Sequence, residues 1–444
     1  MPGISALLLE RFHQAAAGHR LALVGGAVRD LLLHRVHNDP WRGVLDLDLV
    51  VERGRPVDGQ EADDQLAVAH AVARRLCRLM GPDAVTLYLE HGSYGTVELE
   101  LQLEEGPLLL DLASARRESY PVAGENPVVR FGSLPDDLAR RDFTINAMAL
   151  LLDGEAPLDI HGAGETSSDH GPPPEEFRPF LLDPHGGQAD LAQRLLRFLH
   201  SSSVRDDPTR VFRGARYAAR LGFRLAPASL RQLRQTLIEW PWDWQLGDDP
   251  TQAPSALGTR LRMELELLLE RENWQAALGE LQAWGALLLL DPVLQADGRW
   301  SRRLQWAGRM GLELLPALVA GAGDPIALAD RLQLPHRHHR QLAQFLSLRE
   351  RLTAAGDPQQ LRRWPPSRWC AFLERPGTSP DAVALILAAG DGPRRPLLRW
   401  WARWRHLSSD SNAESLIAAG LPPGPALGQR LRDLRAQRVD RERI

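Results

Sequence analysis

The chain has 444 residues, more than one compact core usually holds, so two to four domains are expected. Its 44% hydrophobic and 25% charged residues are typical of an ordinary globular protein, and no apolar run approaches the ~20 residues of a membrane-spanning helix. The N-terminus makes a poor signal peptide, and Cys77 and Cys370 are expected to be reduced thiols. The composition therefore predicts a cytoplasmic protein that does not depend on disulfides or on a membrane.

Charge is distributed unevenly along the sequence. Residues 1–200 carry 18 Arg against 31 acidic residues, residues 201–340 carry 18 against 16, and residues 341–444 carry 17 against 10. This pattern favours metal and nucleotide chemistry in the acidic part and the binding of a phosphate backbone in the basic part. The sequence contains no lysine, which excludes lysine-dependent mechanisms such as a Schiff base.

Strand and helix patterns alternate over the first 150 residues. The predicted strands cover 21–24, 44–51, 85–89, 96–103 and 108–112, and the predicted helices cover 27–34 and 62–79. This mixture indicates a small head domain with both strands and helices.

The second half of the sequence has a different pattern. Residues 161–180 are rich in Gly, Pro, Ser and acids, which predicts a surface insertion. From Asp190 onward the apolar residues recur with helical period, interrupted by Pro and Gly, so an all-helical region is expected.

The first candidate site follows the strand over 21–24. Gly25 and Gly26 let the backbone approach a ligand without interference from a Cβ, and the next helix offers free N–H groups to an anion. Arg29, early in that helix, could reach the same phosphates. A Gly-Gly turn is common, so nucleotide binding is one of several functions that this segment permits.

Asp46 and Asp48 lie two residues apart on a predicted strand, so their side chains share one face. Carboxylates this close repel each other unless a cation lies between them, and oxygen ligands suit Mg²⁺. The alternative, a pair of solvated acids, is disfavoured because the flanking Leu and Val residues indicate a central strand. Asp111, which ends another apolar run, is a candidate third carboxylate or a turn residue.

A third segment, RRDFTIN, combines arginines, an acid and an amide. Arg141, Asp142 and Asn146 could together bind a phosphate and a ribose hydroxyl. A surface ion pair between Arg and Asp is the alternative.

A fourth segment begins at Pro208, a good helix start. Asp207, Arg210, Arg213 and Arg216 are spaced by three and so lie along one helix face. They could form a cradle for an anion, or Asp207 could be a helix cap beside solvated arginines.

Taken in order, these segments resemble the class II tRNA nucleotidyltransferases and bacterial poly(A) polymerases of the DNA polymerase β superfamily. The matching stretches are LVGGAVRD (23–30), DLDLVV (46–51), RRDFTINAMAL (140–150), LLDPHGGQADL (181–191), DDPTRVFRGARYAARLGF (206–223) and LPPGPALGQRLRDLR (421–435). The match is dense over residues 21–225 and sparse beyond them.

The resemblance implies an α+β fold, with an N-terminal nucleotidyltransferase head that contains a mixed β-sheet, followed by an all-helical neck, body and tail. The implied domains are the catalytic head (1–155), an insertion and hinge (156–189), a helical neck with the nucleobase-reading helix (190–270), and a helical body and tail that bind tRNA (271–444). Arginines of the last third, Arg394 and Arg395 among them, are expected to contact the tRNA backbone.

The resemblance also implies a role for each candidate residue. Asp46 and Asp48 would hold two Mg²⁺ ions and form the catalytic site together with Asp111. The nucleotide-binding residues would be Gly25, Gly26 and Arg29 on the triphosphate, Arg141, Asp142 and Asn146 on sugar and phosphates, Asp207 and Arg210 on the base, and Arg213 and Arg216 on the phosphates.

The implied base reader agrees with simple hydrogen-bond chemistry. Cytosine and adenine both present an amino donor beside a ring-nitrogen acceptor, which a carboxylate and a guanidinium can satisfy. Uracil and guanine present the opposite pattern and would leave charged groups unpaired. The implied partners are therefore tRNA with CTP, ATP or both.

Several questions stay open at this stage. The sequence departs from the family in having Asp206 where Glu is usual, and residues 113–135 resemble a flexible loop that helps members switch from C to A addition. CCA-, CC- and A-adding activities are all compatible with the motifs. A poly(A) polymerase and a non-catalytic tRNA-binding protein on the same fold are alternatives, and the oligomeric state is open.

Overall fold

The computed structural model describes residues 4–43, 46–54, 68–92, 95–104, 106–152 and 180–442. The chain divides into two compact units, Met1–Trp242 and Asp243–Ile444, called unit 1 and unit 2 below. Residues 161–179 of the predicted surface insertion lie outside the described residues. Across the described ranges, no helix is both long enough and apolar enough to span a membrane.

Unit 1 contains the strands of the protein. They are β1 Arg20–Val24, β2 Asp46–Glu52, β3 Val85–His91, β4 Thr96–Leu103, β5 Gly106–Ser114, β6 Arg116–Ser119, β7 Val128–Phe131, β8 Ala149–Leu151, β9 Phe180–Leu182, β10 Leu195–Leu196 and β11 Arg224–Leu225. Its helices are α1 Ala6–Ala16, α2 Gly26–His37, α3 Val68–Met80, α4 Leu134–Ala139, α5 Gly187–Ala192, α6 Ser203–Asp206, α7 Thr209–Leu221 and α8 Pro227–Glu239.

A seven-stranded sheet forms the centre of unit 1, with the strand order β3-β4-β5-β2-β1-β8-β9. The pair β2–β5 is parallel and the other neighbouring pairs are antiparallel, so the sheet is mixed, as predicted. Each strand predicted over the first 150 residues is present in the described part of that region.

The face of this sheet that α3 packs against is buried, and the opposite face is buried in part, by a cluster that includes Val24, Val50 and Leu138. Side chains such as Leu47, Leu99 and Leu110 are fully buried on the face that α3 packs against. The alternation of the strands then directs Asp46, Asp48 and their neighbours to the opposite face. The apolar alternation of β2, β4 and β5 therefore fixes which face can carry the acids.

The segment that resembles a flexible loop has regular structure. After β5 the chain forms the hairpin β6–β7, with Arg116 paired to Phe131, and then enters α4. Ser133 and Asp136 form a capping box at the start of α4. Two further very short strands, β10 and β11, pair in parallel beyond Asp190, in a region that was predicted to be free of strands.

Unit 2 is helical, and no strand occurs among its described residues. Its helices are α9 Thr259–Arg271, α10 Trp274–Trp284, α11 Pro292–Ala296, α12 Trp300–Arg309, α13 Leu314–Val319, α14 Pro325–Arg331, α15 His336–Ala354, α16 Pro358–Leu361, α17 Pro366–Leu373, α18 Pro380–Ala389, α19 Arg394–Ala402, α20 Ala413–Ala418 and α21 Pro425–Arg441. The predicted α+β fold class is confirmed. The finer division into head, hinge, neck, and body and tail stays a prediction.

Candidate active site

The turn between β1 and α2 lies directly against the carboxylates of β2. Gly25 has a φ of 72°, a conformation that L side chains rarely adopt. A Cβ on Gly25 would lie 2.9 Å from Oδ2 of Asp48 and 3.1 Å from Nη1 of Arg141. Glycine is therefore required here for two reasons, the backbone conformation and the close approach of two charged side chains.

Strand register brings two of the predicted carboxylates side by side. In the parallel pair β2–β5, Asp48 lies opposite Asp111, and Asp46 lies opposite Leu109. On the other side of β5, Asp111 lies opposite Glu98 of β4. Asp46, Asp48, Asp111 and Glu98 thus form a row of acids on the face of the sheet opposite α3.

The pKa values of two of these acids, Asp111 and Asp48, are raised. Desolvation, followed by the negative charges of Asp48, Glu98 and Asp46, raises the pKa of Asp111 to about 6. Desolvation also raises the pKa of Asp48, with Asp46 acting in the same direction and Arg141 against it. Both carboxylates are therefore less stable as anions than ordinary aspartates in the absence of a cation.

The acids are suited to Mg²⁺ chemically, although they do not form a closed cage. Within the described ranges, no three His, Cys, Asp or Glu side chains are gathered tightly enough to constitute a complete metal site. Mg²⁺ usually takes one or two protein carboxylates and completes its shell with water and substrate phosphates. The oxygen-only donors and the mutual repulsion at Asp46, Asp48 and Asp111 fit that kind of site.

The predicted segment RRDFTIN lies between the carboxylates and the helix α7. It is not one continuous helix, because α4 ends at Ala139 and a 3-10 helix covers Thr144–Asn146. Arg141 is anchored by Nη2, which donates to Oδ2 of Asp137 over 3.0 Å. Asp137 also accepts from Arg140 and is fully buried, so one carboxylate positions both arginines.

Four predicted residues form a continuous chain of hydrogen bonds. Arg29 donates to Oδ1 of Asn146 over 3.0 Å, and Asn146 donates to Oδ1 of Asp142 over 3.1 Å. Arg213 donates to Oδ2 of Asp142 over 3.3 Å, which connects α2 to α7. The guanidinium of Arg29 also lies over the ring of Tyr217, 5.4 Å from its centre. Arg216 is half-buried one turn further along α7.

Asp207 and Arg210 are both buried at the start of α7. Oδ1 of Asp207 accepts from the backbone N–H and the hydroxyl of Thr209, so this carboxylate also stabilises the first turn of the helix. Arg210 donates from Nη2 to the carbonyl of Arg140 over 3.1 Å. The pair predicted to read the base and the segment around Arg141 are thus in direct contact.

Two residues of the hairpin complete a closed ring around Arg210. The guanidinium of Arg210 lies over the ring of Tyr120 at 5.8 Å, and the hydroxyl of Tyr120 donates to Glu118 over 3.1 Å. Glu118 accepts from Arg140 over 3.0 Å, and the carbonyl of Arg140 accepts from Arg210. Burial raises the pKa of Tyr120 to about 12, so its hydroxyl stays a donor. The N–H of Gly124 also donates to the carbonyl of Asp206.

Glu118, Tyr120 and Asp137 were not identified from the sequence. Asp137 precedes Arg140 and Arg141 by three and four residues, which is a recognisable spacing for ion pairs on a helix. Glu118 and Tyr120 carry no such local signal, because their partners are distant in the sequence. All the predicted residues from Gly25 to Arg216 nonetheless lie in unit 1.

Comparison with known proteins shows which family the chain resembles. The family described as Poly A polymerase head domain matches residues 21–197. The CC-adding tRNA nucleotidyltransferase of Deinococcus radiodurans is 35% identical, over 89% of this chain and 87% of that protein. The A-adding tRNA nucleotidyltransferase of the same organism is 31% identical, over 62% of this chain and 45% of that protein.

The fold has a solved counterpart. The Thermotoga maritima CCA-adding enzyme complexed with tRNA matches with a TM-score of 0.64 and 23% identity, over 99% of this chain and 93% of that one. That likeness confirms the fold, while the Deinococcus radiodurans relative shares more than a third of its residues across most of both chains. The chain therefore belongs to the tRNA nucleotidyltransferase family, and it is a nucleotidyltransferase.

Proposed function

We propose that this enzyme adds C to the 3′ end of tRNA from CTP, without a nucleic-acid template. The observation that carries the proposal is the β2–β5 register, which sets Asp48 beside Asp111 at the Gly25 turn. A non-catalytic binding protein would have no use for Asp48 and Asp111, two neighbouring acids of raised pKa beside the Gly25 turn.

In this proposal the triphosphate of CTP lies over the Gly25-Gly26 turn and the N-terminus of α2. Arg141 and Arg29 would neutralise its charge, and the hydrogen-bond chain from Arg29 to Arg213 would hold the sugar. These arginines are already fixed by Asp137, Asn146 and Asp142, so little ordering remains to be done when the nucleotide binds.

Asp46, Asp48 and Asp111 would hold Mg²⁺ in an open site whose remaining ligands are substrate phosphates and water. Bound there, Mg²⁺ would supply the positive charge that favours in-line attack of the tRNA 3′-hydroxyl on the α-phosphorus of CTP. The carboxylates would hold the ion where the reacting groups meet.

Asp207 and Arg210 would select the base. The carboxylate accepts from the amino group of cytosine, and the guanidinium donates to its ring nitrogen and carbonyl. Because both side chains are buried, a base with the opposite pattern leaves a charged group unpaired, which costs roughly 1–3 kcal/mol.

The lengths of the Deinococcus radiodurans relatives support CC addition over A addition. The CC-adding protein aligns over 87% of its own length, whereas the chain spans less than half of the A-adding protein. We therefore propose that CTP is the natural substrate and that the enzyme stops after adding C.

The test is to give the purified protein tRNA that lacks its last three nucleotides, together with Mg²⁺ and either each nucleoside triphosphate separately or CTP and ATP together. We expect two C residues and no A, and no reaction after chelation of the metal. Addition of A after CC would overturn the CC assignment, and long A tails on unrelated RNA would identify a poly(A) polymerase instead.

A variant pair tests the carboxylates in the same assay. Asp48→Asn should lower kcat/KM for CTP by roughly a thousandfold, because the site loses charge where the transition state needs it. Asp83→Asn, an exposed acid of the same unit, serves as the matched control and should leave kcat/KM unchanged. Equal activity of the two variants would remove Asp48 from the proposed site.

A further inference from the structure

Three exposed leucines lie on the same face of the sheet as the row of acids. Leu87 and Leu89 of β3 are 37% and 45% exposed, and Leu109 of β5 is 45% exposed. A single exposed leucine is common, but a group of them on one face of a sheet marks a surface that another molecule contacts. None of the three has a side-chain group that could take part in the proposed chemistry.

Strand register connects Leu89 to the carboxylates. In one row across the strands, Leu89 lies opposite Glu98, which lies opposite Asp111. Asp111 in turn lies opposite Asp48. Residues directly opposite each other on neighbouring strands point to the same side of a sheet, and the strands are about 4.8 Å apart. Leu89 is therefore roughly 14 Å from Asp48, on the same side of the sheet.

The neighbouring row repeats this arrangement. Leu87 lies opposite Glu100, which lies opposite Leu109. Leu109 is directly beside Asp46 on the next strand. The leucines thus extend the surface of the acids toward β3, which lies at one edge of the sheet.

The rest of this face is covered by the protein itself. Val24 and Val50 are buried there in a cluster with Leu138 of α4. The part of the face that a substrate can reach therefore begins at the acids and continues over the leucines of β5 and β3.

The charge of this surface determines which part of a nucleic acid it suits. Glu98 and Glu100 lie between the leucines, and their carboxylates would repel a phosphate group. A base has an apolar face that can cover leucine, and cytosine and adenine also have an amino group that can donate to a carboxylate. The surface therefore suits unpaired bases whose backbone is turned away from the sheet.

We propose that Leu87, Leu89 and Leu109 form a platform for the unpaired bases of the RNA at its reacting 3′ end. The inference rests on the proposed function, because a 3′-hydroxyl held beside Asp48 and Asp111 brings its own nucleotide and the preceding one onto the neighbouring strands. A second copy of the chain, paired through the edge strand β3, is the other occupant that such a surface could have.

The experiment compares Leu89→Ser and Leu109→Ser with Leu7→Ser in the full-length protein. Leu7 is 59% exposed on α1, which packs against α3 and so lies on the other side of the sheet. The Kd is measured without CTP for tRNA that lacks its last two nucleotides, and for the same RNA with abasic units in place of its unpaired 3′ nucleotides. The Tm verifies that each variant is folded, and light scattering gives its oligomeric state.

We expect the wild type and the Leu7 variant to bind the intact RNA about fivefold more tightly than the abasic RNA, because the bases bury apolar surface against the leucines. In the Leu89 and Leu109 variants this preference should fall below about twofold, while the affinity for the abasic RNA stays at the wild-type value. A merely structural effect of the substitutions would weaken the binding of both RNAs alike.

The same preference in the wild type and in both platform variants, or no preference in the wild type, overturns the proposal. A wild-type dimer that the Leu89 variant dissociates, with the RNA preference retained, would overturn it in favour of a second copy. CTP incorporation by the wild type is recorded alongside. Failure to add C would contradict the proposed function, whereas the preference measured without CTP would still decide whether the leucines contact the bases.

Discussion

At the residue scale, Asp137 determines how Arg140 and Arg141, the second of which is proposed to bind phosphate, are arranged. Burial alone would raise the pKa of its carboxyl, but the charges of Arg140 and Arg141 and the hydrogen bonds from them outweigh burial and hold the pKa below its ordinary value. A carboxylate with a lowered pKa stabilises the folded state above the pKa of the unfolded chain. That contribution is lost as the pH falls through the folded-state pKa.

We expect Asp137→Asn to lower the free energy of unfolding at pH 7 by roughly 3–5 kcal/mol, because two arginines lose a buried counter-charge. Urea unfolding at several pH values measures this effect. The difference from wild type should begin to shrink below about pH 4, where the unfolded chain takes up the proton first, and should be lost as the pH falls through the lower folded-state pKa. A difference that is constant across this range would show that the charge of Asp137 is not the cause.

Tyr120 is expected to orient the guanidinium of Arg210, which is proposed to read the base. Tyr120→Leu removes the aromatic ring over Arg210, whereas Tyr120→Phe keeps the ring and loses only the hydrogen bond to Glu118. We predict that the Leu variant loses about tenfold of its preference for CTP over UTP, while the Phe variant retains most of it. The ratio of kcat/KM values for the two nucleotides is the measurement, and equal ratios in both variants would exclude a role for the ring.

Gly25 offers a test with a matched control. Gly222 has nearly the same φ, 71° against 72°, but a Cβ there would meet nothing within 4 Å. Gly222 is in the left-handed region with ψ 24°, so its Ala variant should lose about 1 kcal/mol of stability from backbone strain. Gly25 has ψ −136°, which residues with a Cβ adopt much less readily, so Gly25→Ala should lose more. Only Gly25→Ala also pushes against Asp48 and Arg141, so it alone should lose CTP addition. Comparable activity of the two variants would mean that the close approach at Gly25 is not needed.

At the scale of secondary-structure elements, the pairing of β2 with β5 buries Asp111 beside Asp48, and this makes the stability of the folded protein depend on pH. The folded-state pKa of Asp111, about 6, lies above its ordinary value of 3.8, so the folded protein binds this proton more tightly than the unfolded chain does. Stability without metal should therefore fall as the pH rises from about 4 to about 6, and stay reduced above that range.

Asp111→Asn should remove the part of this pH dependence that comes from Asp111, while Asp48, whose pKa is also raised, still contributes. In the metal-free protein we expect the variant to have the higher Tm above pH 6 and to match wild type near pH 4. Added Mg²⁺ should raise the Tm of the wild type more than that of the variant, because the cation relieves repulsion that the variant lacks. A variant with the same pH profile as wild type would contradict the assignment of this pH dependence to Asp111.

The strands also show which features of the site could be predicted from the sequence. The alternation of Leu and Asp in β2 was enough to predict the strand, its buried face and the shared face of Asp46 and Asp48. The register with β5 was not predictable, because local alternation says nothing about a distant partner strand. The roles of Glu118 and Tyr120 were missed for the same reason, since the hairpin meets α7 only in the folded unit.

At the scale of the whole molecule, charge and fold are divided along the chain in the same way. The mixed sheet and the proposed catalytic residues lie in unit 1, which contains the acidic first 200 residues, and the basic residues 341–444 lie in the helical unit 2. Composition by region predicted that the two ends of the chain differ in charge. The boundary after Trp242 was not predictable from it, because charge changes gradually along the chain.

The parallel pairing of β2 and β5 also has a consequence for the order of folding. The strands β3, β4 and β5 form a local antiparallel meander, whereas β2 can join β5 only after the long segment between them has been closed into a loop. Non-local pairing of this kind is slow to form. We therefore expect Asp48 and Asp111 to meet late in refolding, so that the recovery of activity lags behind the recovery of secondary structure.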